Sequence, residues 1–180
     1  MNAHGLPPAR MQRLSDYELA WCRRFNGAAR RRAVERLFAG VSRLGDGVFW
    51  YALMGVIVAC EGAAGASAVA RMLVAGGLGL ALYKWLKRRT VRPRPCARSA
   101  AISVTVAPLD EFSFPSGHTL HAVAFTTVAL AHYPALAWLL LPFTLLVAAS
   151  RLVLGLHYPS DVLAGALLGG ALARTVLALS

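Results

Sequence analysis

The side chains best suited to chemistry in this 180-residue chain are cations at the borders of apolar segments. Lys87 and Arg94 lie within KRRTVRPRP, and Arg151 lies near the end of a later apolar run. A guanidinium donates two parallel hydrogen bonds to an oxyanion, and grouped cations stabilise the charge that develops during phosphoryl transfer. These three residues therefore predict a site for a phosphate group.

A second feature is the run Pro115-Ser116-Gly117-His118 at the start of an apolar segment. Proline is favoured in the first turn of a helix, and the free backbone amides of that turn attract phosphate. Gly117 lets the backbone approach a ligand closely, and the Ser116 hydroxyl is a further donor. We expect the amides of residues 116–118 to point outward, toward the same anion.

Two histidines and one carboxylate complete the set. His118 ends the helix-start motif, and His157 follows the fourth apolar segment, with Asp161 four residues further along. Two histidines, one of them beside a carboxylate, supply a matched base and acid. The sequence shows no cluster of carboxylates suited to magnesium, so we expect no metal ion and no other cofactor.

The elements that position these side chains are predicted to be membrane helices. Hydrophobic residues make up 57% of the chain and the mean hydropathy is +0.54, which is high for a soluble domain. We predict an all-α membrane bundle of about five transmembrane helices. The apolar segments cover approximately residues 46–63, 66–86, 117–133, 135–155 and 161–179.

Counting the segments places the polar residues on one side of the membrane. The basic run of residues 84–98 follows the second segment, and the helix-start motif opens the third. Arg151 and His157 close the fourth segment, and Asp161 opens the fifth. With alternating spans, all four of these ends share one membrane face, which predicts a single site.

The net charge of +11 indicates anionic partners. The basic residues flank the apolar segments instead of lining a polar domain. A phosphorylated lipid and the bilayer are therefore the expected partners, and nucleic acid is not an expected partner. The cysteines, Cys22, Cys60 and Cys96, are widely separated. They predict neither a disulfide framework nor a zinc site.

Residues 1–45 are predicted to form an N-terminal segment apart from a membrane-embedded domain of residues 46–180. Ser15 and Glu18 match a capping box that opens a short helix, and Asn26-Gly27 ends that helix. A basic amphipathic helix follows. Such a helix lies in the membrane interface or packs on the protein's own bundle, and the sequence leaves both open.

The three motifs, in this order and at this spacing, resemble the signature of the type 2 phosphatidic acid phosphatase family, which shares its core with vanadium haloperoxidases. The resemblance covers about residues 46–179. It implies that His157 attacks phosphorus, that Asp161 fixes the attacking tautomer, and that His118 protonates the leaving oxygen. It also implies phosphate binding by five residues: Lys87, Arg94, Ser116, Gly117 and Arg151.

The resemblance implies a metal-independent lipid phosphatase or diphosphatase with a phosphohistidine intermediate. Undecaprenyl diphosphate is slightly favoured as substrate over phosphatidic acid, phosphatidylglycerophosphate and the phosphates of lipid A. Three other functions stay open at this point: a lipid phosphotransferase with the same site, a haloperoxidase that binds vanadate, and a non-enzymatic lipid transporter.

The remaining charged residues are predicted to be structural. Arg88, Arg89, Arg92 and Arg98 match cations that anchor helix ends at the membrane surface. Asp110 and Glu111 are expected in a solvated loop, although either could orient an arginine. His121, one turn after His118, is expected to pack, with contact to the substrate as the alternative, and His132 is expected to be structural.

The charge balance also predicts the orientation in a bacterial inner membrane. Residues 1–45 contain nine arginines against three acids and lie on the same side as the site. The opposite side carries little beyond Arg71 and Arg174. The positive-inside rule therefore favours a cytoplasmic site, whereas many relatives of the resembled family work on the outer face.

Overall fold

The computed structural model describes residues 9–108 and 110–179, with side chains from residue 13 onward. Residues 1–8 of the predicted N-terminal segment lie outside this part. The α-helices of the described residues, in chain order, are α1 (Ala9–Asn26), α2 (Arg32–Arg43), α3 (Phe49–Thr90), α4 (Pro95–Arg98), α5 (Gly117–His132), α6 (Ala137–Val153) and α7 (Pro159–Leu179). The predicted all-α membrane bundle is confirmed.

The long helix α3 contains the first two predicted membrane segments. Its backbone is non-helical at Gly62, with φ 57° and ψ −125°, and the chain reverses there between two apolar halves. A positive φ of this kind costs glycine far less than other residues. Three described stretches are long and apolar enough to cross a bilayer: Arg32–Thr90, Pro134–Val153 and Pro159–Leu179. Helix α5, at 16 residues, is shorter than these.

Helix α5 is the centre of the bundle and packs against α3, α6 and α7. It approaches α7 most closely where α7 presents Gly165 and Gly169. A Cβ at Gly165 would lie 2.5 Å from the Ser116 carbonyl oxygen, and one at Gly169 would lie 2.3 Å from that of Leu120. The two glycines therefore let the start of α5 lie directly beside the start of α7.

Helix α2 packs along α6, and α1 lies against α4, α6 and α7. The predicted capping box is wrong. Helix α1 already runs from Ala9, and Ser15 and Glu18 are buried side chains within it. The prediction that the helix ends at Asn26 is confirmed, since a 3₁₀ turn, Gly27–Arg30, follows.

The segment between α3 and α5 folds over the same end of the bundle. It contains the short helix α4 and an isolated antiparallel bridge between Pro93 and Phe112. The prediction that Arg92 anchors a helix end at the membrane surface is wrong. Arg92 is 0% exposed, because two carboxylates and two hydroxyls surround its guanidinium.

Candidate active site

A cavity of about 400 Å³ opens between the two halves of α3, α5, the end of α6 and the segment before α5. Six of the eight predicted site residues line it: Lys87, Arg94, Gly117, His118, Arg151 and His157. The other two, Ser116 and Asp161, lie directly behind this wall. The convergence expected from counting spans is therefore present in the fold.

His157 lies in the turn between α6 and α7, with its two ring nitrogens in different surroundings. Nε2 is 3.3 Å from Nη1 of Arg94. Nδ1 lies 3.6 Å from Oδ2 of Asp161, which is a close approach but beyond hydrogen-bond length. Burial, helped by the positive charge of Arg94, lowers the pKa of His157 to about 3, although the Asp161 carboxylate opposes this. The imidazole is therefore neutral at physiological pH, with an electron pair available for attack.

Asp161 is held rigidly in the first turn of α7. Its Oδ1 accepts a hydrogen bond of 2.5 Å from Nη1 of Arg92, and its Oδ2 accepts one of 2.8 Å from the Tyr158 amide. The guanidinium of Arg92 also stacks 4.0 Å from the centre of the Tyr158 ring. The carboxylate beside His157 is thus fixed from two directions.

Asp110 joins two of the predicted phosphate-binding cations. Lys87 Nζ donates to both of its carboxylate oxygens at 2.5 and 2.6 Å, and Arg94 Nη2 donates to Oδ1 at 2.7 Å. Burial opposes ionisation of Asp110, but Lys87 and Arg94 outweigh it and hold its pKa below the ordinary value. Asp110 therefore orients Arg94 and is not the solvated loop residue that the sequence favours.

Arg94 and Arg151 are both buried near His157. Arg94 Nη1 donates to the Leu156 carbonyl at 2.7 Å, which ties it to the turn that carries His157. Arg151 donates through Nε to Ser150 Oγ at 3.1 Å and through Nη2 to Ser42 Oγ on α2. Ser42 could not be predicted from the sequence, since nothing in its neighbourhood marks it as part of the site.

His118 has a carboxylate partner that lies outside the three motifs. Its Nε2 contacts Oδ1 of Asp46, which lies between Gly45 and Gly47 in the turn Leu44–Val48 before α3. The signal was present in the sequence, because Asp46 is an acid at the first residue of a predicted membrane segment, on the face that carries the site.

The start of α5 differs in detail from the prediction. The Ser116 amide donates to the Asp161 carbonyl at 3.0 Å, so it is not free for a ligand. The Ser116 hydroxyl lies 3.5 Å from the Thr119 amide as a helix cap and contacts the Thr119 hydroxyl at 3.0 Å. Ser116 is fully buried, whereas Gly117 and His118 face the cavity.

Two further histidines of the described residues, His121 and His132, make backbone or structural contacts. His121 also lines the cavity, with Nδ1 2.8 Å from the Gly117 carbonyl oxygen and Nε2 3.1 Å from that of Gly76. His132 lies at the opposite end of α5, where Nε2 is 3.1 Å from Nη1 of Arg71.

The cavity is polar at one end and apolar at the other. Away from the cations its walls are Tyr51, Leu73, Gly77, Leu80 and Phe125, among others. Leu73 is 52% exposed and Tyr51 is 67% exposed on the outer surface of the bundle. The cavity can therefore accept a molecule with an anionic head and an apolar chain that leaves sideways between the halves of α3.

No group of three or more His, Cys, Asp or Glu side chains in residues 9–108 and 110–179 is arranged to hold a metal ion. The donors that face the cavity are dominated by cations, which suit an anion.

Two characterised proteins are similar to part of this chain. Decaprenylphosphoryl-5-phosphoribose phosphatase from Mycobacterium tuberculosis (strain CDC 1551 / Oshkosh) is 39% identical over 109 residues, which is 58% of each chain. Undecaprenyl-diphosphatase BcrC from Bacillus subtilis (strain 168) is 32% identical over 90 residues, 50% of this chain and 46% of that one. The chain thus matches between 46% and 58% of the length of these two relatives.

Solved structures match nearly the whole fold. A transmembrane PAP2 type phosphatidylglycerolphosphate phosphatase from Bacillus subtilis has a TM-score of 0.68 at 25% identity, covering 96% of this chain and 95% of that one. Aquifex aeolicus LpxE has a TM-score of 0.72 at 25% identity, covering 89% and 94%. The family model of the PAP2 superfamily matches residues 68–180, which include all three motifs. The chain belongs to the PAP2 superfamily.

Proposed function

We propose that this protein is a lipid phosphate phosphatase or diphosphatase that works through a phosphohistidine on His157. The observation that carries the proposal is the setting of His157 Nε2, which lies beside Arg94 in a cavity that also contains Lys87, Arg151 and His118. A neutral, buried imidazole among cations is suited to attack a phosphorus atom whose oxygens those cations hold.

In the first step the electron pair on Nε2 of His157 forms a bond to phosphorus. The bond between phosphorus and the leaving oxygen breaks, and that oxygen takes a proton from the ring of His118. The imidazole of His157 then carries a positive charge, which the Asp161 carboxylate stabilises from the other side of the ring. The three cations hold the equatorial oxygens of the transferring group.

In the second step water replaces the histidine. His118, now neutral, takes a proton from a water molecule whose oxygen attacks phosphorus. The nitrogen–phosphorus bond breaks, its electron pair returns to His157, and inorganic phosphate leaves. Asp46 orients the ring of His118 through both steps by accepting its hydrogen bond.

The substrate we propose is a polyprenyl lipid that carries a phosphate or diphosphate, with undecaprenyl diphosphate as the first candidate. The apolar end of the cavity supports a lipid, since it leads from the cations to the lipid-facing surface of α3. The names of two relatives support a polyprenyl chain, since one is a decaprenylphosphoryl-5-phosphoribose phosphatase and the other an undecaprenyl-diphosphatase. Phosphatidic acid and phosphatidylglycerophosphate are the competing substrates.

Purified protein in detergent tests this function. It should release inorganic phosphate from undecaprenyl diphosphate with a chelator present and without an acceptor lipid, and vanadate should inhibit it. A panel of the competing lipid phosphates ranks the substrates, with the His157→Ala variant as the blank. Activity that requires an added acceptor would indicate a phosphotransferase, and activity lost with the chelator would contradict metal independence.

We further propose that the N-terminus and the site both face the cytoplasm, in the inner membrane of a bacterium. Helix α1 supports a shared side, because Cys22 Sγ lies 3.9 Å from the carbonyl oxygen of His157. In a Cys96→Ser background, a thiol reagent that does not cross membranes should label the exposed Cys60 of intact cells, and should label Asn2→Cys after lysis only. The reverse pattern would place the site outside.

A further inference from the structure

Helix α1 is bonded to the residues on both sides of the turn that carries the proposed nucleophile. Asn26 Nδ2 donates to the Val153 and Ser103 carbonyls, each at 2.9 Å. Glu18 Oε1 accepts a hydrogen bond of 2.6 Å from the Ser160 amide, and its Oε2 accepts one of 2.7 Å from the Ser160 hydroxyl. A carboxylate in this position is also favoured by the N-terminus of α7.

Glu18 is connected to the carboxylate beside His157 through one buried arginine. Arg92 Nη2 donates to Glu18 Oε2 at 2.6 Å, and Arg92 Nη1 donates to Asp161 Oδ1 at 2.5 Å. Arg92 Nε donates to Ser15 on α1 at 2.9 Å. The side chains of Arg92, Glu18 and Asp161 are 1%, 8% and 0% exposed, so water does not screen this group of charges.

The count of charges explains why a second carboxylate is needed. An Asp161 paired with Arg92 alone would form a neutral unit and would stabilise a positive imidazole only weakly. With Glu18 on the other side of the guanidinium, the three side chains carry one net negative charge. That charge matches the positive charge that His157 gains when it bonds to phosphorus.

We propose that Glu18 is a positioning residue for His157 and Asp161, which acts through Arg92 by restoring the negative charge of the group. This inference rests on the proposed phosphohistidine mechanism. Glu18 lies outside residues 68–180, the part of the chain that the family model matches. The N-terminal helix therefore contributes to catalysis as well as to the packing of the bundle.

The test compares ligands that do and do not bond to the histidine. Vanadate forms a bond to an imidazole nitrogen and places positive charge on the ring, whereas orthophosphate binds to the cations without that bond. The variants are Glu18→Gln, which removes the charge, and Glu18→Asp, which keeps it. The matched control is Asp16→Asn, which removes an acid from the same helix at an exposed ion pair with Arg98.

Glu18→Gln should lower kcat about tenfold and weaken vanadate inhibition about tenfold, with KM and orthophosphate inhibition within about twofold of wild type. Glu18→Asp should recover part of the loss, and Asp16→Asn should match wild type. Unchanged kcat and vanadate inhibition in Glu18→Gln would overturn the inference. An equal weakening of inhibition by vanadate and by orthophosphate would also overturn it, because that result indicates a distorted site.

Two further outcomes are decisive. If Glu18→Gln aggregates on gel filtration, folded Glu18→Asp must keep most of the wild-type preference for vanadate over orthophosphate, and a loss of about tenfold or more in that preference overturns the inference. If wild type itself neither releases phosphate nor binds vanadate, the proposed function is what fails.

Discussion

The two histidine–carboxylate pairs of the cavity differ in burial and in the backbone that carries the carboxylate. The side chains of His157 and Asp161 are 3% and 0% exposed, and Asp161 is bonded to Arg92 and to the Tyr158 amide. The side chains of His118 and Asp46 are 13% and 34% exposed. A closed, rigid pair suits a nitrogen that must hold one position while it forms a bond, and an open pair suits a group that exchanges protons with substrate and water.

The backbone around Asp161 is regular, whereas the backbone around Asp46 is irregular, which matches the contrast between a rigid pair and an open pair. Asp161 lies in the first turn of a regular helix, whose start is fixed beside the start of α5 through the Ser116 amide. Asp46 lies in the irregular turn Leu44–Val48, where Gly47 has φ 136°. The difference between these two environments fits the proposed roles, in which the nucleophile is held in one position and the acid adjusts to its substrate.

The largest expected effect is the loss of the nucleophile. His157→Ala should lower kcat/KM by about ten-thousandfold or more, because the reaction then lacks the nitrogen that attacks phosphorus. Phosphate release from the lipid phosphate panel measures it. His132→Ala, at the far end of α5, is the matched control, and its kcat/KM should stay near wild type. Substantial residual turnover in His157→Ala would assign the attack to another group.

A substrate with a good leaving group should compensate for the loss of His118, but no such substrate should compensate for the loss of His157. His118→Ala should lower turnover of a lipid phosphate by roughly a hundredfold to ten-thousandfold, because the lipid oxygen then leaves without a proton. With an aryl phosphate whose phenol is a good leaving group, bond formation to His157 should be close to wild type. Pre-steady-state measurement of phosphoryl transfer to His157 separates this step from the hydrolysis that follows. An equal loss in the rate of this first step on both substrates would contradict the role of His118 as the acid.

Replacement of the more buried carboxylate should cause the larger loss of activity. Asp161→Asn should lower kcat about a hundredfold or more, since the positive imidazole then lacks its buried partner, and Asp46→Asn should lower it only about tenfold. Steady-state kinetics of both variants measure the difference. A larger loss for Asp46→Asn would reverse the assignment of the closed pair to the nucleophile.

Most of the polar residues that line the cavity could be predicted from the sequence. Spacing and resemblance identified His157, His118 and the three cations, because these residues stand in continuous motifs. Counting apolar segments brought them to one face without any knowledge of packing. The turn at Gly62 inside one helix run also agrees with the predicted boundary between the first two segments.

What the sequence did not predict depends on contacts between distant segments. Asp46 meets His118 across 72 positions, and Glu18 meets Ser160 across 142. Nothing local distinguishes Arg92, which is buried, from Arg88 and Arg89, which lie two turns or less before it on the same basic run. The motif fixes the position of Ser116 but not the direction of its hydroxyl, which points to Thr119 and not to the expected ligand.

The smallest expected effect is on stability as pH falls. Burial lowers the pKa of His157 to about 3, whereas the unfolded side chain takes up a proton below about 6.5. The unfolded state therefore binds more protons between these values, so the free energy of unfolding decreases as pH falls from 7 to 5, by about 2 kcal/mol from this group. His157→Gln should show a smaller decrease in Tm over that range, and an identical decrease would contradict a neutral, buried His157.

A trapped phosphohistidine tests the central claim most directly. His118→Ala, with an aryl phosphate labelled on phosphorus, forms the intermediate readily but lacks the base that activates water. One equivalent of phenol should therefore appear in a burst, and an acid-labile, alkali-stable label should locate to His157. Turnover without a burst, or a burst without label on His157, would show that the phosphoryl group never passes through this imidazole.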